Sequence, residues 1–151
     1  MFEFAKWITS NEETSNILVF RRAFNLKKPI KNATLYICGL GFYDVLINGI
    51  KFKQDYLKPI VSDYKYRKSF YKVNKANSYF AYFNTYDVTS LLYDDNLIEI
   101  LVSSGYFHNK DKKDFNNVDY GENRLIFELE ILYEDGNAEH IGSDKNTLVS
   151  I

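Results

Sequence analysis

Two glutamates at alternate positions of one predicted strand, Glu128 and Glu130, have the residue type and spacing that paired acid–base chemistry requires. Side chains at alternate positions of a strand point to the same face of a sheet. The apolar residues around them alternate toward the other face, so both glutamates are expected on the outward, solvated face. Acid–base catalysis needs an enclosure that shifts a carboxyl pKa, and a solvated face does not provide one. We therefore expect the pair to serve solubility, with acid–base work as the minor alternative.

The two histidines, His108 and His140, fall in different predicted loops and have no partner nearby in the sequence. Each is expected to be an exposed polar residue rather than a catalytic base. The sequence also contains no glycine-rich phosphate loop, no nucleophile elbow and no cysteine or histidine pair at metal-ligand spacing. These absences argue against the common classes of free-standing enzyme.

A polar segment between residues 108 and 123 is the best candidate for a metal site. Calcium takes about six to eight oxygen ligands, and this segment is rich in carboxylate and amide oxygens. The spacing does not match an EF-hand and two lysines intervene, so an exposed solvated loop is the default and a calcium site the alternative. The candidate ligands are Asp111, Asp114, Asn116 and Asp119.

Aromatic residues make up 17% of the chain, with 13 tyrosines and 12 phenylalanines. Sugar rings have apolar faces that stack on aromatic side chains, while nearby amides and carboxylates bind their hydroxyls. Between residues 64 and 86 there are more aromatic side chains than one strand face can bury, so some should be exposed or should cover a partner surface. The alternative is that most belong to the core and extend only their hydroxyls to solvent.

The stretch from residue 33 to residue 52 should organise the elements that position these side chains. A β-branched and aromatic run ends at Asn48-Gly49, and an apolar run resumes at Ile50. Asn-Gly accepts the positive φ angles of a type I′ turn, which predicts a β-hairpin. Gly39 and Gly41 allow a bend or bulge just before its first strand.

Other short strands are predicted on both sides of this hairpin, and residues 87–92 are predicted to form one helical turn that Asp87 or Thr89 caps. Leu91 and Leu92 should fold from this turn onto the core. Residues 97–102 are nearly all apolar and should lie in the middle of a sheet, whereas residues 125–133 alternate cleanly. The remaining predicted strands are residues 16–24, 64–73, 79–83, 138–142 and 147–151. This pattern predicts a single all-β sandwich domain over residues 1–151.

Charge and apolar content exclude several partners. The formal net charge of −1 gives no electrostatic attraction to nucleic acid or to anionic lipid. No run of apolar residues is long enough for a membrane span, and the N-terminus lacks the features of a secretory signal, so a cytoplasmic location is expected. The single Cys38 cannot form an internal disulfide and is predicted to be a small buried apolar residue.

Short pieces spread along the chain match the pattern of one known family. In order, they are Ala5 to Thr9, Phe20 to Phe24, Ala33 to Ile37, Gly41 to Asp44, Leu46 to Gly49, Leu57 to Pro59, Ser62 to Tyr64, Thr85 to Leu92, Asn96 to Val102, Gly105 to Phe107 and Tyr133 to Gly136. Over nearly its whole length the sequence thus resembles the N-terminal β-sandwich domain of bacterial α-L-rhamnosidases. Within this resemblance, Tyr106 follows Gly105 where the family often has tryptophan.

The resemblance implies a galactose-binding-like jelly roll that is the non-catalytic accessory domain of a larger glycoside hydrolase. In such enzymes, carboxylates of a separate α/α-barrel domain cleave the glycosidic bond with inversion. Some related sandwich domains bind rhamnose together with calcium, so calcium is a possible cofactor here, although none is required.

Two functions remain open at this stage. The first is recognition of rhamnose-containing glycans, with Tyr43, Asp44 and Asn48 at the hairpin as candidate contacts. Three further candidate contacts lie in predicted loops: Tyr64, Tyr106 and His108. The second is a structural role, in which the sandwich packs against the catalytic domain and the excess aromatic residues form that interface.

Overall fold

The computed structural model of the chain describes residues 2–10, 17–51, 58–59, 81–105, 107 and 120–151. Within them the chain forms nine antiparallel strands and one 3₁₀ turn, Thr89–Leu91. The strands are β1 (Leu18–Asn25), β2 (Ile30–Leu40), β3 (Phe42–Ile47), β4 (Ile50–Lys51), β5 (Asn84–Asp87), β6 (Asp95–Ser103), β7 (Arg124–Tyr133), β8 (Ala138–Gly142) and β9 (Leu148–Ser150).

The strands form two sheets that pack as a sandwich, in agreement with the predicted all-β jelly roll. One sheet has the order β4-β3-β6-β1-β9 and the other the order β5-β2-β7-β8. Alternate side chains of both sheets meet in a single core, whose largest fully buried members include Phe20 from the first sheet and Phe127 from the second. The predicted mid-sheet position of residues 97–102 is confirmed, because β6 lies between β3 and β1.

The predicted hairpin is β3–β4, and Asn48 and Gly49 both have positive φ, at 53° and 75°. The bend expected at the preceding glycines is a change of sheet: β2 ends at Leu40 in the four-stranded sheet and β3 begins at Phe42 in the other. Gly41 lies between them with φ 124°, and a Cβ there would lie 2.2 Å from the carbonyl oxygen of Ser103. Only glycine fits this crossing point.

The helical turn predicted at residues 87–92 is also present. The Asp87 carboxylate accepts hydrogen bonds from the backbone N–H and the hydroxyl of Thr89, at 3.0 and 2.6 Å. These bonds hold the pKa of Asp87 below its usual value, because they favour the charged carboxylate. Leu91 and Leu92 pack against the core, as expected.

Residues 2–9 form a segment that we call the N-terminal strap, which covers part of the outer face of the four-stranded sheet. Its backbone pairs with β7 through reciprocal hydrogen bonds of 2.9 Å between Ile8 and Leu125. The Lys6 N–H donates to the Ser143 carbonyl at 2.7 Å, and the Ser143 hydroxyl donates to the Lys6 carbonyl at 2.7 Å. No helix among the described residues has the length and apolar character needed to span a membrane.

Three predicted strands have different outcomes. The strand at residues 64–73 lies outside the described residues. For residues 79–83 the prediction is wrong where the structure describes the chain, because 81–83 are not in a strand and β5 begins at Asn84. The strand at residues 147–151 is confirmed as β9, which pairs with β1 at the edge of the five-stranded sheet.

Candidate functional site

The side chains of the three candidate sugar contacts in the hairpin are bonded to other residues of the domain. Tyr43 was expected at the surface, but it is only 4% exposed, so this expectation is wrong. Its hydroxyl donates to Oδ1 of Asn84 at 2.5 Å, and its ring lies against Gly39, where a Cβ would be 2.7 Å from Cδ1. Burial, with Tyr86 nearby, raises the pKa of the Tyr43 hydroxyl. The local alternation did not reveal this, because the chain changes sheets at Gly41 and β3 turns Tyr43 inward.

A buried polar cluster surrounds Tyr43 and had no signal in the sequence. The Nζ of Lys58 lies 4.7 Å from the ring centroid of Tyr86, in cation–π geometry. Lys58 also accepts a backbone hydrogen bond from the Tyr43 N–H at 2.8 Å. Lys58 and both tyrosines are buried, so this cluster joins the hairpin to β5 rather than offering a surface to a ligand.

Asn48 has the positive φ expected of the turn, and both ends of its side-chain amide are hydrogen-bonded. Its Nδ2 donates to the Leu91 carbonyl at 2.8 Å and to Oδ1 of Asn96 at 2.9 Å, and its Oδ1 accepts from the Leu97 N–H at 2.8 Å. The amide therefore ties the hairpin turn to the 3₁₀ turn and to the first residues of β6. Asp44 is half exposed and pairs with Lys51 across the hairpin at 2.9 Å.

The other candidate residues cannot be placed, because they lie outside the described part of the chain. These are the sugar candidates Tyr64, Tyr106 and His108 and the metal candidates Asp111, Asp114, Asn116 and Asp119. Among the residues that the structure does describe, no group of three or more His, Cys, Asp or Glu side chains could hold a metal ion.

The outward-facing glutamate pair differs from expectation. Glu128 is only 3% exposed, because the N-terminal strap covers it. Its carboxylate accepts the Phe4 N–H at 3.1 Å and lies 3.2 Å from Nδ1 of His140, whose ring stacks on Phe4 with centroids 4.5 Å apart. The prediction of a solvated Glu128 and of a loop histidine without a partner at His140 is therefore wrong. Both residues hold the strap in place.

Glu130 has a different environment on the same face. It is partly exposed and lies near the Tyr36 hydroxyl, whose pKa is raised by burial and by the neighbouring carboxylates Glu130 and Glu128. The two glutamates thus lie in different environments, and neither of them lines the cleft described next.

An open cleft lies at one end of the sandwich, where the β1–β2 loop meets the segment between the 3₁₀ turn and β6. Its volume is about 440 Å³, within the range of roughly 300–1,000 Å³ usual for small-molecule sites. Three aliphatic side chains that pack against the core, Leu26, Ile30 and Leu92, contribute to its lining. The rim includes Lys27, Lys28, Asp94 and the exposed ring of Tyr93. We call this feature the end cleft.

The comparison with known families identifies the domain. Residues 28–150 match the family model described as the α-L-rhamnosidase N-terminal domain. The chain belongs to this family.

Relatives and solved structures agree with this membership. An α-L-rhamnosidase of Formosa agariphila is 30% identical over 132 residues, which cover 83% of this chain and 12% of the relative. The crystal structure of an Aspergillus terreus α-L-rhamnosidase superposes with a TM-score of 0.77 at 26% identity, over 99% of this chain and 17% of that one. A Streptomyces avermitilis α-L-rhamnosidase, whose structure was determined with L-rhamnose, gives a TM-score of 0.70 at 30% identity, over 88% of this chain and 12% of that one.

The rhamnosidase N-terminal domain described here therefore spans only a small part of the proteins it matches. The predicted family resemblance and the predicted sandwich are both confirmed. The end cleft had one signal in the sequence, the aromatic residue Tyr93 between Leu92 and the acidic Asp94.

Proposed function

We propose that this chain is the accessory N-terminal domain of an α-L-rhamnosidase and helps to position rhamnose-containing glycans for a catalytic domain elsewhere in the same protein. The observation that carries the proposal is the family match over residues 28–150, combined with the small share of each relative that the chain spans.

The positions of Glu128 and Glu130 support a non-catalytic role for this domain. Inverting hydrolysis needs two carboxyls on opposite sides of the scissile bond, about 6.5–9.5 Å apart, with room for a water molecule. Glu128 is covered by the strap, and Glu130 lies near Tyr36 on the same face of the same sheet. We expect no hydrolysis of a chromogenic α-L-rhamnoside by the 151-residue chain.

The end cleft supports the glycan-binding part of the proposal. It combines an aliphatic lining with an exposed tyrosine ring and with charged groups that can bind hydroxyls, and a sugar ring uses this set of contacts.

Glycan binding is tested by calorimetric titration of the chain with L-rhamnose and with rhamnosylated oligosaccharides, once in the presence of calcium and once with a chelator. Binding in the millimolar range or tighter is expected, and a calcium requirement would bring the segment at residues 108–119 into the site. The absence of any heat or chemical-shift response at millimolar sugar would contradict glycan binding.

A specific observation favours a second candidate function, that of a structural scaffold. The edge strand β9 and the residue after it expose apolar side chains, namely Leu148, Val149 and Ile151, and Leu148 is 72% exposed. Exposed apolar groups on an edge strand are suited to covering by another domain. In this alternative the catalytic domain packs against β9.

The two functions predict different kinetics in the parent enzyme. Leu148→Thr should lower the melting temperature and the kcat for a small chromogenic rhamnoside if the domain is a scaffold. Ile50→Thr, at an exposed position of the hairpin, is the control. If the domain instead recognises glycan, Leu148→Thr should leave both values unchanged, and changes in the end cleft should raise KM for long glycans only.

A further inference from the structure

We propose that the end cleft is a binding site for a 6-deoxyhexose, in which the aliphatic lining receives the methyl group of the sugar. This inference rests on the proposed function, because it names the sugar class that the domain would recognise. A 6-deoxyhexose such as L-rhamnose carries a methyl group where the parent hexose carries a hydroxymethyl group.

The aliphatic part of the cleft is built into the core and is therefore fixed. Leu26, Ile30 and Leu92 are partly buried and pack against the buried cluster between the sheets. The two walls of the cleft are joined directly, because the Leu26 N–H donates to the Asp94 carbonyl at 2.8 Å. A methyl group can lie against such a lining without losing a hydrogen bond, whereas a hydroxymethyl group would lose the water that solvates it.

The aromatic wall of the cleft is also held in place. Tyr93 is 59% exposed, yet its backbone is bonded at both polar atoms: its N–H donates to Oδ1 of Asn96 at 2.8 Å, and its carbonyl accepts from Nδ2 of Asn96 at 2.6 Å. Asn96 is itself buried and accepts a hydrogen bond from Asn48. The hairpin turn thus fixes the segment that presents the Tyr93 ring, although Asn48 itself does not line the cleft.

The charged groups at the rim suit a neutral sugar better than an ionic ligand. Lys28 pairs with Asp135 at 2.5 Å and Lys27 lies 3.7 Å from Glu139, so the positive charges of the rim are balanced by nearby carboxylates. The Lys27 side chain is largely exposed, and it can donate to a sugar hydroxyl while the exposed Asp94 carboxylate accepts from another.

The test compares two sugars that differ only at C6. L-Rhamnose and L-mannose have the same ring configuration, and L-mannose carries a hydroxyl in place of a hydrogen on C6. We expect L-rhamnose to shift the amide NMR signals of Leu26, Ile30, Leu92 and Tyr93 in the 151-residue chain. L-Mannose is expected to bind about tenfold more weakly, because its extra hydroxyl meets aliphatic carbon.

Two tyrosine variants locate the site. Tyr93→Ala should weaken L-rhamnose binding about fivefold through the loss of the stacking face. Tyr82→Ala is the matched control, since Tyr82 is equally exposed, at 58%, and does not line the cleft. Circular dichroism of both variants checks that each is folded.

The outcomes separate this inference from the proposed function. Equal affinity for the two sugars, or L-rhamnose shifts that map outside the cleft and ignore Tyr93→Ala, would overturn the deoxysugar site while leaving glycan binding intact. No response to any rhamnose-containing ligand would overturn both. A C6-selective response that only Tyr93→Ala weakens supports both.

Discussion

Asn48 connects the hairpin turn to two other segments through a single side chain. Its amide bonds the Leu91 carbonyl, the Leu97 N–H and the Asn96 side chain, and its backbone has a positive φ that asparagine tolerates better than most residues. A residue predicted as a sugar contact therefore has a structural role, and it supports the end cleft through its bonds to Asn96 and to the Leu91 carbonyl.

Replacing Asn48 should separate the two contributions it makes. Asn48→Ala loses the amide bonds and places a Cβ-bearing residue without a compensating side chain at positive φ, so we expect the free energy of unfolding to fall by about 3 kcal/mol. Asn48→Gly keeps the backbone relaxed and should cost about 1 kcal/mol less than Asn48→Ala. Urea denaturation measures both, and equal losses for the two variants would show that the backbone angle carries no cost.

Cys38 provides a second prediction at the level of one residue. It is buried, as expected, and burial raises the pKa of its thiol to about 11. Because the thiolate is the reactive form, Cys38 in the folded chain should react with a disulfide reagent at pH 8 at least about 100-fold more slowly than in urea. A cysteine placed at exposed Ser90 in a Cys38→Ala background is the control and should react rapidly. Fast modification of the native chain would contradict the buried placement.

At the scale of elements, the N-terminal strap depends on a close approach that only glycine allows. A Cβ at Gly142 would lie 2.1 Å from the Phe4 carbonyl oxygen, so Gly142→Ala must push the strap away from β8. We expect a loss of about 1–3 kcal/mol in the free energy of unfolding. Trp7 lies in the strap and is the only tryptophan, so its fluorescence should shift to longer wavelength as it becomes more exposed.

The strap prediction has an independent check on the neighbouring strand, β7. Glu128→Gln removes the charge that accepts the Phe4 N–H and should produce a smaller fluorescence shift in the same direction. Glu130→Gln changes a carboxylate on the same face of β7 and should leave Trp7 emission unaltered, because Glu128 is the residue that accepts the Phe4 N–H. Unchanged emission in Gly142→Ala would mean that the strap does not rest on Gly142.

Much of the strand pattern could be predicted because its causes are local. Asn48-Gly49 prescribes its own turn geometry, and the alternation of residues 125–133 shows which side chains of β7 face the core. Asp87 lies only two residues from Thr89, whose N–H and hydroxyl donate to its carboxylate. Each of these features can be recognised within about ten residues of sequence.

The residues whose burial was predicted wrongly owe their environment to distant parts of the chain. Glu128 is buried by a strap more than a hundred residues away, so an outward position on its strand did not mean a solvated one. Tyr43 points inward because the chain changes sheets at Gly41, and local alternation does not show which sheet a strand joins. The end cleft escaped prediction for the same reason, since its walls come from two loops that are far apart in sequence.

At the scale of the whole molecule, ionised aspartates should make the domain sensitive to acid. The pKa of Asp135 is lowered to about 2, chiefly by Lys28 and then by the Asn137 N–H. The pKa of Asp144 is also lowered: burial acts in the opposite direction, but the Asn146 N–H and Arg22 outweigh it. A carboxyl whose folded pKa lies below its unfolded value stabilises the fold above the unfolded pKa and loses that effect as pH falls.

The melting temperature should therefore decrease as the pH falls from about 4 to about 2. Asp135→Asn and Asp144→Asn should each be less stable than the parent chain at pH 7 and should show a shallower decrease in this interval. Circular dichroism at a series of pH values measures the effect. A melting temperature that rises below pH 4, or identical slopes in all three proteins, would contradict the assigned pKa directions.

The strap also has a consequence for the synthesis of this domain. Phe4 bonds Glu128 across 124 residues, and Lys6 bonds Ser143 across 137, so the strap leaves the ribosome long before the residues that hold it. Contacts between residues that are so far apart in the sequence form slowly, because a long loop of chain must first be closed. Until β8 emerges, β7 has an unpaired edge and Glu128 faces solvent, and an open strand edge invites pairing with another chain. Nascent chains halted before residue 138 should therefore be the forms that most need a chaperone.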